Sequence, residues 1–128
     1  MEFPVIVRLI DSVILIDHLN GIEKATRFII KLDPVETAIS VITRAEILTG
    51  LGETEQAEVI PLLDQYQLLI IDKPTADFAA RLRREHGWKL PDAFQAALAQ
   101  HHKIKLITRK SKDFNPRKHD FVEIPYKL

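Results

Sequence analysis

The chain contains no cysteine. That excludes a disulfide framework and thiol catalysis, and it fits a reducing compartment. No apolar run approaches the roughly 18 residues of a membrane span. The apolar start is only one strand long, with no basic stretch before it and no small-residue cleavage site, so no signal peptide is expected. A cytoplasmic protein without membrane contact is therefore the expectation. Net charge is also missing: 18 Lys and Arg balance 18 Asp and Glu. A neutral total argues against indiscriminate binding to nucleic acid. The five histidines show no metal-ligand spacing such as His-x-x-x-His. No internal repeat, low-complexity tract or linker interrupts the chain.

What is present is ordinary in bulk and uneven in layout. The 128 residues, 46% hydrophobic and 28% charged, suit a single globular domain over 1–128 with its own core. Residues 1–64 carry a balance of −6 and residues 65–128 a balance of +6. An acidic half beside a basic half suits a metal site flanked by a phosphate-binding surface.

The run Val5-Ile-Val-Arg-Leu-Ile-Asp11 reads as a strand buried on both faces that stops at a carboxylate. A helix follows, Ser12 to Asn20, with Ser12 as a candidate N-cap and Gly21 just past its end. Ile22–Leu32 repeats apolar residues at helical spacing. Strands are expected at Thr37–Ile42, Leu68–Asp72, Ile104–Thr108 and Phe121–Ile124. Between them lie helices opening at Thr43 and Glu53, the second with a kink or break at Pro61. Further helices are expected over Thr75–Gly87 and from Pro91. Strands alternating with helices give an α/β fold, a mostly parallel five-stranded sheet covered on both faces.

Four acids sit where strands end or helices begin: Asp11, Glu46, Asp92 and Asp113. In a parallel sheet all four belong at the carboxyl edge, where open α/β folds place ligand sites. Each has a plainer reading. Glu46 completes a possible capping box with Thr43, Asp92 complements a helix dipole, and Asp113 suits a turn. As a group they are hard oxygen ligands suited to Mg²⁺ or Mn²⁺, the ions that activate water against a phosphodiester. The loop from Arg109 to Lys118 holds five basic residues and suits a phosphate backbone, with Arg109 and Lys112 as candidate RNA contacts.

Four segments in order resemble the PIN-domain ribonucleases, particularly the VapC-type toxins of bacterial toxin–antitoxin pairs. They are Leu9-Ile-Asp-Ser-Val-Ile-Leu-Ile-Asp-His-Leu-Asn-Gly21, Ser40-Val-Ile-Thr-Arg-Ala-Glu-Ile-Leu-Thr-Gly50, Leu90-Pro-Asp-Ala-Phe-Gln-Ala-Ala-Leu-Ala99 and Leu106-Ile-Thr-Arg-Lys-Ser-Lys-Asp-Phe114. The resemblance implies a three-layer sandwich with sheet order 3-2-1-4-5. It implies cleavage of RNA by water, dependent on Mg²⁺ or Mn²⁺ held by Asp11, Glu46, Asp92 and Asp113. Ser12 and Thr108 would orient those carboxylates or a water. It further implies a homodimer, and a cognate antitoxin that lays a peptide across the site. Two positions depart from the family: Val13 stands where Asn is usual, and Lys110 where Asp or Asn is usual. A lysine there could take the place of a cation, so the alternative is a PIN-like module, impaired in catalysis, that binds an antitoxin or RNA. A phosphoacceptor receiver domain has similar length and winding, but this chain lacks the acidic pair expected after the first strand and the lysine–proline expected after the fifth.

Overall fold

The computed structural model describes residues 5–128. Strands and helices alternate in the order β1 (Arg8–Ile10), α1 (Ser12–Leu19), α2 (Glu23–Ile30), β2 (Thr37–Ser40), α3 (Val41–Thr49), α4 (Glu53–Asp64), β3 (Gln67–Leu69), α5 (Lys73–His86), α6 (Leu90–His101), β4 (Lys105–Ile107) and β5 (Val122–Glu123). The sheet runs β3-β2-β1-β4-β5, and every pairing in it is parallel. The parallel winding is the one expected from the alternation of strands and helices, and the order is the one the family resemblance implies. Strand β1 lies at the centre, and the chain leaves it first toward β2 and later returns to its other side with β4. The edge beyond β1 is thus the switch point at which doubly wound sheets open a crevice.

Successive strand residues face opposite layers, and each layer has its own core. Leu9, Ala38, Leu69, Leu106 and Val122 pack with α5 and α6. Ile10, Ile39 and Ile107 pack with α1 to α4. Each large aliphatic side chain buried this way contributes about 1.5–3 kcal/mol. Helix α6 is the most enclosed of the helices. Ala93, Ala96, Ala97 and Ala99 are fully buried, so small side chains let its backbone approach both the sheet and α5.

Local signals differ from the sequence reading at three helix starts. Asp11, not Ser12, caps α1: its carboxylate accepts from the Ser12 amide at 2.9 Å. Ser40, not Thr43, caps α3 and accepts from the Thr43 amide at 3.0 Å, so the segment expected to extend the strand to Ile42 is already helical. Asp72 ends no strand but caps α5, accepting from the Thr75 amide at 3.0 Å. In all three a short polar side chain satisfies an orphan amide and sets the turn from extended to helical backbone. Helix α4 runs on through Pro61 without breaking. Gly21 and Gly87 follow α1 and end α5 at φ +78° and +71°, where a side chain would be strained.

Candidate active site

Asp11 is 1% exposed at the end of the central strand, and its carboxylate is met from α1, from α6 and from the segment after β4. Its Oδ1 accepts from the Ser12 amide at 2.9 Å and from Gln95 Nε2 at 3.2 Å. Its Oδ2 accepts from Thr108 Oγ1 at 2.8 Å and lies 3.8 Å from Lys110 Nζ. Thr108 directly follows β4, which pairs with β1 up to Ile10 and Ile107, so the parallel register carries its hydroxyl on to Asp11. The same hydroxyl accepts from the Lys110 amide at 3.1 Å, which sets the start of the following loop.

Asp92 reaches the same place from the first turn of α6, as the parallel topology predicts. Lys110 Nζ donates to Asp92 Oδ1 at 2.9 Å, so its ammonium lies between Asp92 and Asp11. Glu46 arrives from the middle of α3. Much of its side chain remains exposed, yet its carboxyl is held above the usual range. Lost hydration is the first cause and the Asp11 charge the second, with Lys110 and a hydrogen bond from Ser12 pulling the other way. Lys110 itself is held above its ordinary range: burial opposes its charge, but Asp11, Asp92 and Glu46 together outweigh that cost. Ser12, Asp11, Glu46, Asp92, Thr108 and Lys110 thus form one group.

Asp113 is not brought into it. Its carboxylate makes no hydrogen bond or ion pair with these residues, and its backbone carbonyl accepts from Trp88 Nε1 at 2.9 Å. It lines a separate cleft of about 290 Å³ with His86, Trp88, Lys112, Lys118 and His119. Arg109 is paired within the fold. Its guanidinium holds buried Asp17 in a two-pronged pair, Nε at 2.5 Å and Nη2 at 2.9 Å, and Tyr126 donates to the same carboxylate at 2.7 Å. Lys112 is exposed.

Sequence reasoning missed Gln95, Ser40 and Thr43. Gln95 Nε2 donates to Asp11 Oδ1 and to Thr43 Oγ1 at 2.9 Å, and its Oε1 accepts from Ser40 Oγ at 2.6 Å. The signal was available: Gln95 is an amide among the alanines of this helix, three residues after Asp92 and so on the same face.

By donor chemistry, Asp11, Glu46 and Asp92 fit a hard divalent ion. By arrangement they already enclose a cation, the Lys110 ammonium, and among the described residues no three His, Asp or Glu side chains stand as a ready metal cage. The fit to a divalent ion therefore requires that ammonium to move aside.

Comparisons with known proteins agree with this fold. Residues 8–116 match the family model of the PIN domain. The chain is 33% identical over 108 residues to Ribonuclease VapC10 of Mycobacterium tuberculosis, over 78% of this chain and 80% of that protein. Among solved structures it resembles a toxin–antitoxin complex from Klebsiella pneumoniae. The TM-score is 0.86 at 34% identity, with 94% of this chain and 99% of that chain covered. FitAcB from Neisseria gonorrhoeae shares the fold, with a TM-score of 0.77 at 22% identity over 95% and 100% of the two chains.

Proposed function

Because the chain belongs to the PIN domain family, we propose that it is a metal-dependent endoribonuclease, the toxin of a type II toxin–antitoxin pair. One observation carries this reading: Asp11, buried at the switch point, is met there by Glu46 and Asp92 from two other elements. In this reading Asp11, Glu46 and Asp92 hold Mg²⁺ or Mn²⁺. A bound ion would polarise the phosphate and lower the pKa of an attacking water. Thr108 and Gln95 hold the Asp11 carboxylate in one orientation, and Ser12 links Asp11 to Glu46. Lys112, exposed two residues after Lys110, contacts the RNA backbone; Arg109 serves the fold through Asp17.

A cognate antitoxin suits the apolar recess of about 170 Å³ that adjoins Glu46, lined by Ile16, Leu19, Ile47 and Leu51. The relative is named a ribonuclease and the Klebsiella structure is a toxin–antitoxin complex. The chain acts as one domain, as a homodimer, in the cytoplasm; among the described residues no helix is long and apolar enough to cross a membrane.

Cleavage of a mixed RNA pool in Mg²⁺ and in Mn²⁺ tests the reading, with Asp92→Asn as control. The wild type should cut and the variant should not. If neither cuts in either ion, the nuclease reading falls and a module that binds RNA or antitoxin without cutting takes its place.

A further inference from the structure

We propose that Lys110 is the resident counter-cation of the carboxylate site, and that a divalent ion enters only by displacing its ammonium. The geometry carries this. Lys110 Nζ is 2.9 Å from Asp92 Oδ1 and 3.8 Å from Asp11 Oδ2. Asp11 and Asp92 are both buried. Two carboxylates this close and this dry repel strongly unless a positive charge joins them. The ammonium supplies that charge from within the chain. It stabilises the ion-free site, and it also stands where both carboxylates are best shared.

The lysine is built to do this reversibly. Its backbone is anchored on both sides: its amide donates to Thr108 Oγ1 at 3.1 Å, and its carbonyl accepts from the Phe114 amide at 2.8 Å. Phe114 is fully buried and Arg109 is locked onto Asp17. The four-carbon stem is not locked, and the side chain is one-third exposed. The ammonium can therefore swing to solvent, or to a phosphate oxygen of bound substrate, without any change in the loop. An entering ion must overcome this tethered charge, so the site discriminates against weak or transient loading.

The inference rests on the nuclease reading only for the identity of the entering ion, and it is tested without RNA. Free Mn²⁺ is measured by electron paramagnetic resonance during titration of the wild type, Lys110→Asn and Lys110→Arg. Removing the charge should tighten Mn²⁺ binding at least tenfold, whereas arginine, which keeps the charge, should leave it weak. In chelator, Lys110→Asn should melt below the wild type, and Mn²⁺ should raise its melting temperature by more than it raises that of the wild type. Should Lys110→Asn not fold, the wild type alone decides: the Lys110 side-chain ¹⁵N resonance must move as Mg²⁺ fills the site. Equal Mn²⁺ affinity in the wild type and Lys110→Asn, or saturation by Mg²⁺ with the Lys110 resonance unmoved, overturns the proposal while leaving cleavage untouched. A tenfold difference in binding with no cleavage by either protein overturns the nuclease reading instead.

Discussion

The side-chain amide of Gln95 donates to Asp11 Oδ1 at 3.2 Å across 84 residues of chain. With its bonds to Thr43 and Ser40, this one buried side chain joins α6, the β2–α3 junction and the end of β1. Gln95→Leu keeps much of the volume but leaves two hydroxyls and a carboxylate oxygen short of a partner. It should cost about 1–3 kcal/mol of stability. Gln95→Glu should cost more at neutral pH, because it sets a further carboxylate against Asp11, and it should recover as acid protonates the new glutamate. Urea unfolding at pH 7 and pH 5 separates the two. Equal losses at pH 7 would mean that Gln95 only fills space.

The sequence made the sheet legible because branched apolar runs punctuated by helical spacing leave few ways to wind a chain of this length. It brought Asp11, Glu46 and Asp92 to one edge by the same logic, since strand ends in a parallel sheet share an edge. It did not show which way loop residues turn. Asp113 and Lys110 lie in one loop, and Phe114 burying itself in the core turns Lys110 inward and leaves Asp113 outside. Arg109 read as an RNA contact because its partner Asp17 lies 92 residues away, a distance no local pattern spans. The helix starts were misplaced by one to three residues because Asp11, Ser40 and Asp72 act as caps, and a cap reads equally well as the end of a strand.

Thr108 offers a test of how the carboxylate is aimed. Its hydroxyl donates to Asp11 Oδ2 and accepts from the Lys110 amide, so it couples the strand end to the loop. Thr108→Val keeps the shape and the β-branch. RNA cleavage should fall about 10- to 100-fold, the usual cost of losing a partner that orients a metal-binding carboxylate. Circular dichroism should show the fold retained. An unchanged cleavage rate would mean that the backbone alone sets Asp11.

The Asp17–Arg109–Tyr126 network holds the loop and the C-terminal segment against α1. Tyr126→Phe should cost about 0.5–1.5 kcal/mol, the net worth of one hydrogen bond. Arg109→Met should cost roughly 2–4 kcal/mol, below the full penalty for a buried pair because the guanidinium is partly solvated. The hydrogen bond from Arg109 holds the Asp17 carboxyl below its usual range despite burial, and Tyr126 adds to that. An unfolded Asp binds its proton near about pH 3.9. The unfolded chain therefore takes up the proton first as pH falls. The contribution is complete above that value and is lost as pH drops through the lower folded one. Acid unfolding of Asp17→Asn should be flatter below about pH 4 than that of the wild type. Parallel curves would place the acid sensitivity elsewhere.

His119 should set a second step, nearer neutrality. Its ring meets Trp88 edge-on at 5.1 Å, His86 at 5.2 Å and Phe121 at 5.6 Å. Burial is the main reason its pKa lies below the ordinary value, followed by the neighbouring His86 and Lys118, with Asp120 opposing. Here too the unfolded chain binds the proton first, near about pH 6.5. Stability is then full above that pH and declines as pH falls through the lower folded value. His102, lowered by burial and by His101, adds to the same window from the end of α6. His119→Phe keeps an aromatic ring against Trp88 and Phe121 and removes the proton. Its urea midpoint should fall less than that of the wild type between pH 7.5 and pH 5.5, values chosen to bracket the roughly 6.5 of a free histidine. Should the two midpoints fall in parallel, His102 or another group would carry the neutral step, and His119 would be a packing residue only.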